Sequence, residues 1–183
     1  MADRIWTLSN TLSAARVLLA LPIGVLLLQD DPHARSWAVV LILVAIVTDF
    51  LDGFFARRMH QVSEWGKIID PIADKIAVGV IAVILVIKGA IPLWYVAVVL
   101  ARDLLILAGG LVIRKRKQII PQSNWPGKIA VSAIALVLFL AVIDAPGLES
   151  LETIAFWGSI VLMVLSVVVY AQRLFIGIPS RTP

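Results

Sequence analysis

The chain has no cysteine, only two histidines and little charge, with 15% of its 183 residues charged. The first absence excludes disulfides, thiolate metal sites and cysteine nucleophiles. The second leaves His33 and His60 in connecting segments, which argues against zinc, an ion usually held by Cys and His. Also missing are a low-complexity tail, an internal repeat and a composition shift that would mark a second domain. No short apolar stretch leads into a small-residue cleavage site, so no signal peptide is expected.

What is present is apolar. Hydrophobic residues make up 61% and the mean hydropathy is +0.99, against about 45–50% apolar residues in a soluble domain. Six segments, Leu12–Leu28, Ser36–Arg57, Ile68–Ile87, Pro92–Ile113, Lys128–Ile143 and Thr153–Phe175, are read as membrane-crossing. The predicted fold is an all-α integral membrane protein. It has six transmembrane helices in one bundle, forming a single domain over residues 1–183, with residues 1–11 as an interfacial lead-in.

Loop charge gives the orientation. Arg4, Arg57, Arg58, Lys67, the run Arg114–Lys117, Lys128, Arg173 and Arg181 fall on one side. The other side holds Asp30, Asp31, Asp144, Glu149 and Glu152 with only Arg35 and Lys88. The positive-inside bias places both termini in the cytoplasm. The excess of four basic residues concerns orientation and anionic lipid rather than nucleic acid, and Arg114–Lys117 reads as a lipid contact and topology signal.

Four aspartates stand out against this background. Asp49 and Asp52 are three apart near the end of the second segment, and Asp70 and Asp74 are four apart near the start of the third. Each spacing puts both carboxylates on one helix face. The two segments form a hairpin, so the acids are expected at one level. A carboxylate at bilayer depth costs about 2.5–3.5 kcal/mol on insertion scales. Four of them call for compensation, and oxygen-only ligands suit Mg²⁺, Mn²⁺ or Ca²⁺. A salt-bridge network with Arg57, Lys75 or Arg102 is the purely structural alternative. Gly53, Ala56 and Gly66 either let a ligand approach the backbone or serve ordinary small-residue helix packing. If the third helix starts near Gly66, Pro71 should bend it at Asp70.

These residues carry a resemblance. Asp49-x-x-Asp52-Gly53-x-x-Ala56-Arg57, then eight residues, then Gly66-x-x-x-Asp70-x-x-x-Asp74, resembles the complete signature of the CDP-alcohol phosphotransferase family. The resemblance implies a six-helix membrane enzyme, usually a homodimer, using two Mg²⁺ or Mn²⁺ ions. It would move a phosphatidyl group from CDP-diacylglycerol to an alcohol and release CMP. Carried over by position, Asp49, Asp52, Asp70 and Asp74 hold the metals, and Asp74 is the proposed catalytic base. Asp49, Asp52, Gly53, Ala56, Arg57 and Gly66 contact the cytidine diphosphate. The enzyme would lie in the cytoplasmic membrane with its active site facing the cytoplasm.

Four further segments bear on the acceptor. Asp70-Pro71-Ile72-Ala73-Asp74-Lys75 resembles the DPxADK form of phosphatidylglycerophosphate synthases and of cardiolipin synthases in this family. Ser9–Arg16 is similar to their N-x-L-T-x-x-R opening, with Ser13 for threonine and no preceding proline. Gly127-Lys128 resembles their G-K pair. Arg102-Asp103 lies mid-span where Arg-Glu is usual in phosphatidylglycerophosphate synthases and Arg-Asp more frequent in cardiolipin synthases. Arg102, Lys128 and Arg173 are the acceptor-binding candidates. Their bland alternatives are a bundle ion pair with one of the four aspartates, an interfacial lysine and a snorkelling arginine. Glycerol 3-phosphate is the favoured acceptor and phosphatidylglycerol the nearest alternative. A cation transporter with an acidic site, or an intramembrane prenyltransferase, would be the readings from other classes.

Overall fold

A computed structural model describes the backbone of residues 8–59, 66–117 and 125–176. Within these it describes the side chains outside 8–14, 16, 49, 51–59, 66–72, 111–117 and 173–176. Each apolar run forms one helix: α1 Leu8–Leu28, α2 Pro32–Met59, α3 Gly66–Ile87, α4 Leu93–Lys117, α5 Trp125–Ile143 and α6 Glu149–Ile176. There is no strand among the described residues. The lead-in expected over residues 1–11 lies outside the described residues up to residue 7, and Leu8 already opens α1.

The helices outrun the apolar segments because local chemistry extends them. Asp31 caps α2: its Oδ1 accepts the His33 N–H at 3.1 Å, and Pro32 takes the first helical position. The last turn of α4 absorbs Arg114–Lys117, since Arg and Lys are good helix formers and complement the negative end of the helix dipole. α6 starts with Glu149 and Glu152 in its first turn, at the positive end. α3 runs unbroken from Gly66 through Asp70 and Pro71.

Helix ends are made as sharply. Past α3, Gly89 takes φ +72°, its N–H reaches Val86 O at 3.0 Å, and Ala90 N–H reaches Leu85 O at 2.9 Å. That is a Schellman cap, which a glycine at the left-handed position allows. After α5, Ala145-Pro146-Gly147-Leu148 forms a turn closed at 3.2 Å, with Gly147 at φ +90°. Proline second and glycine third are what a type II turn demands.

The described contacts group residues 1–91 and 92–183 into two units. In the first, α1 packs against both α2 and α3. Ala20, Ile23 and Leu27 form its buried stripe, and Ala34, Ala38 and Ile42 are buried on α2. α1 approaches α3 closely at Gly24, where a Cβ would stand 2.9 Å from Ile84 Cδ1 and 3.6 Å from Val80 Cγ1. At one end of this unit the Lys88 ammonium pairs with the Asp30 carboxylate and reaches Gln29 O at 3.4 Å. The α1–α2 connection and the end of α3 are thereby held together. The Lys88 hydrogen bond, then its charge, holds Asp30 below the usual carboxylate range.

In the second unit α6 packs against α5 and α4. Tyr95 OH meets Ser159 Oγ at 2.8 Å, and Arg102 Nε donates to Ser166 Oγ at 3.1 Å. Both helices advance seven residues between these rungs, so α4 and α6 run parallel in a heptad register, with buried Met163 between the rungs. Trp94, Tyr95, Phe156 and Trp157 cluster where these helices begin; Tyr95 and Phe156 stack at 4.7 Å. Leu93 at 70% and Ile154 at 69% exposure are among many large apolar side chains that point outward, as lipid-facing surface does. Among the described residues, Leu93–Gly110, Trp125–Ile143 and Glu149–Gln172 are long and apolar enough to cross a membrane. α1 and α2 contribute the shorter apolar stretches Val17–Leu28 and Pro32–Thr48.

Candidate active site

The acidic signature falls on two helices. α2 carries Asp49, Asp52, Gly53, Ala56 and Arg57 in its last three turns, and α3 carries Gly66, Asp70 and Asp74 in its first three. The i, i+3 and i, i+4 spacings therefore lie on helical backbone, so each aspartate pair shares a helix face. Asp74 is half-buried and follows Ala73, which is buried. The side chains of Asp49, Asp52, Ala56, Arg57 and Asp70 lie outside the described ones. Among the described residues no three His, Cys, Asp or Glu gather at metal-binding distance. His33 is exposed at the start of α2, and His60 lies outside the described residues.

The acceptor candidates belong to the second unit. Arg102 is 7% exposed in the middle of an apolar helix and is satisfied on three sides. Its Nε donates to Ser166 Oγ at 3.1 Å, its Nη1 to Asp103 Oδ1 at 2.8 Å, and its Nη2 to Gly127 O at 3.3 Å. One guanidinium so ties α4 to α5 and α6. The planar fork suits this work, because its donors point in fixed and different directions. The ion pair is with the adjacent Asp103, which is partly exposed. Lys128, one residue past the Gly127 carbonyl, is exposed, with its ammonium 6.0 Å from the Trp125 ring centroid. Arg173 sits on α6 one heptad after Ser166, and its side chain lies outside the described ones.

Sequence reasoning missed Ser159, Ser166 and Tyr170. Their signal was present: residues 159, 163, 166, 170 and 173 follow alternating steps of four and three on α6. That stripe is polar at four positions of five in an otherwise apolar helix. It also missed that Gly127 contributes a backbone carbonyl, which no residue type announces.

A model of the CDP-alcohol phosphatidyltransferase family matches residues 6–165, so the match contains the acidic signature and most of all six helices. The chain belongs to the CDP-alcohol phosphatidyltransferase family. A relative from Streptomyces coelicolor named cardiolipin synthase (CMP-forming) is 36% identical over 132 residues, covering 70% of this chain and 61% of that protein. A Mycobacterium tuberculosis protein named probable phosphatidylglycerophosphate synthase is 31% identical over 175 residues, 93% of this chain and 82% of its own length. The Aquifex aeolicus CDP-diacylglycerol–glycerol-3-phosphate 3-phosphatidyltransferase is 31% identical over 172 residues, 91% and 94% of the two chains. With the Bacillus subtilis enzyme of the same name the match covers 59% of that protein. For some CDP-alcohol phosphatidyltransferase relatives, then, the chain spans about three fifths of their length, and for others nearly all of it. The relatives' names divide between cardiolipin synthase and phosphatidylglycerophosphate synthase or glycerol-3-phosphate 3-phosphatidyltransferase.

Proposed function

We propose that this chain transfers a phosphatidyl group from CDP-diacylglycerol to glycerol 3-phosphate and releases CMP. The observation that carries the proposal is the eight-position signature, lying on the end of one helix and the start of the next in a chain of this family. The Aquifex relative, named for glycerol 3-phosphate transfer, matches nine tenths of the chain, which supports that acceptor. Cardiolipin synthesis from phosphatidylglycerol is the second reading, favoured by Arg102-Asp103 and by the Streptomyces relative's name.

The donor set fits a hard divalent cation, because Asp49, Asp52, Asp70 and Asp74 offer only oxygen. These four would hold two Mg²⁺ or Mn²⁺ ions, which when bound neutralise charge on the donor's pyrophosphate. The acceptor hydroxyl attacks the lipid-side phosphorus as the bond to the bridging oxygen breaks, and CMP leaves with the electron pair. Asp74 takes the hydroxyl proton. Gly53, Ala56, Arg57 and Gly66 are assigned to the cytidine diphosphate. Arg102, Lys128 and Arg173 are assigned to the acceptor, on the ground that a phosphate dianion needs fixed positive charge.

The proposed topology has six spans, both termini in the cytoplasm and the active site facing it, in a homodimer in the cytoplasmic membrane. The loop charges support the orientation. The Asp30–Lys88 pair supports the placing of these two connections on one common side. The test is to supply purified protein with labelled CDP-diacylglycerol, Mg²⁺ and separate acceptors. CMP and phosphatidylglycerophosphate should form with glycerol 3-phosphate. Turnover of phosphatidylglycerol alone would establish the second reading, and no CMP with any acceptor would end both.

A further inference from the structure

Tyr170 has a hydroxyl that the fold leaves unused. The oxygen is shielded from solvent and is the buried side-chain polar atom without a hydrogen-bond partner among the described residues. Elsewhere on the α4–α6 seam polar groups are paired: Tyr95 with Ser159, and Arg102 with Ser166, whose own hydroxyl donates to Met163 O at 2.8 Å. A shielded, unpaired hydroxyl is costly, and native proteins keep few of them.

Its position says what would pair with it. Tyr170 is four residues after Ser166, on the same face of α6 as the serine that receives Arg102. Three residues further, the same stripe reaches Arg173. A phenol donates as well as accepts, and one turn back on the stripe Ser166 holds the fixed positive charge of Arg102. The missing partner should therefore be an acceptor-rich anion.

We infer that the Tyr170 hydroxyl is a specificity contact that donates a hydrogen bond to the phosphate of a phosphate-bearing acceptor alcohol. This rests on the proposed reading of the site and deepens it. The hydroxyl stays unpaired until the acceptor arrives, and its burial cost favours the bound state.

Tyr170→Phe removes the oxygen and keeps the ring, so two readouts separate ligand binding from a structural role. In the ligand-free protein the variant should melt no lower than wild type, because no internal bond is lost. The KM for the phosphate-bearing acceptor should rise about tenfold or more, the loss expected for one hydrogen bond to a charged group. The KM for CDP-diacylglycerol should hold. Glycerol 3-phosphate and phosphatidylglycerol vesicles are run as separate arms, with glycerol as the phosphate-free control. A loss in one arm identifies the source of the phosphate. An unchanged acceptor KM in both arms, or a lower melting temperature without ligand, overturns the inference. Thermal stabilisation by glycerol 3-phosphate alone, present in wild type and reduced in Tyr170→Phe, tests the contact independently of turnover. A wild type that releases no CMP would defeat the proposed function, whereas a wild type and variant equally stabilised would defeat this contact.

Discussion

Arg102→Lys is the substitution on which the most of this structure depends. The charge survives, but one ammonium replaces a fork that reaches Ser166, Asp103 and Gly127 in three directions. Lysine can keep the Asp103 contact, so the bonds to α5 and α6 are the ones lost. Hydrogen bonds from charged groups contribute about 1.5–3 kcal/mol each. Ser166 still donates to Met163 O at 2.8 Å and is not orphaned, which puts its share at the low end. The sum is about 3–4.5 kcal/mol, or a fall of about 6–18 °C in Tm for a chain of this size. Thermal unfolding in detergent, followed by tryptophan fluorescence, measures it. Leu104→Ala, at an outward position 64% exposed, is the control and should shift Tm little. With α5 untied, the KM for glycerol 3-phosphate should also rise, about thirty-fold for 2 kcal/mol of lost uniform binding. CDP-diacylglycerol kinetics should change little. An Arg102→Lys protein that melts with wild type and keeps its acceptor KM would refute both the three-way tie and the acceptor assignment.

Asp49→Asn, Asp52→Asn, Asp70→Asn and Asp74→Asn should each nearly abolish CMP release, and chelation should do so reversibly; normal activity in any two defeats the metal assignment. Gly24→Ala should be close to neutral, because the Ile84 Cδ1 it meets is a side-chain tip and alanine gains about 1 kcal/mol of helix propensity. Gly24→Leu should lower Tm clearly by pushing α1 off α3. Cysteines at Ser150 and Gln172, exposed near opposite ends of α6 and about 33 Å apart along the helix, should be labelled from outside and from the cytoplasm respectively. The reverse pattern would invert the topology. Asp30 has a lowered pKa, so its pair with Lys88 contributes above the carboxylate's unfolded pKa and fades as pH falls through the folded one. Asp30→Asn should therefore flatten the acid limb of a Tm–pH profile and leave the neutral region almost unchanged, since the carboxylate is exposed.

The six helices were legible because each is an apolar run bounded by charge or by a Gly/Pro turn. Their ends were less so. α4 continues to Lys117 and α2 begins at Pro32, since helix propensity, caps and dipole act where hydropathy has stopped. The acidic signature was fully legible, being a matter of residue type and spacing. Arg102 was half legible. Its intramembrane charge marked it, and its ion partner is the adjacent Asp103 rather than one of the four signature aspartates named for it from the sequence. Its other two partners are a serine hydroxyl 64 positions away and a backbone carbonyl 25 positions away, which only the packing of α4, α5 and α6 brings together. Tyr170 was illegible for the opposite reason. An unmet hydrogen bond is recognised only once every neighbour has been placed.

The two rungs between α4 and α6 differ chemically, and that difference restricts how the helices can move. A slide of one heptad, about 10.5 Å, is the smallest that returns the stripes to phase. In one direction it sets Arg102 against Arg173, and like charges repel; in the other Arg102 meets Ser159, but Tyr95 exchanges its serine for the charged Glu152 and Ser166 is left facing Gly109. Shorter slides bring Met163 or Tyr170 to the guanidinium. No piston stroke restores both bonds, so the pair resists axial translation while still permitting tilt about the seam. Any opening of this unit during turnover would then be a splaying of the helix ends farther from the Tyr95–Ser159 rung. Cross-linking α4 to α6 beside that rung should be tolerated, whereas cross-linking beyond Tyr170 should not.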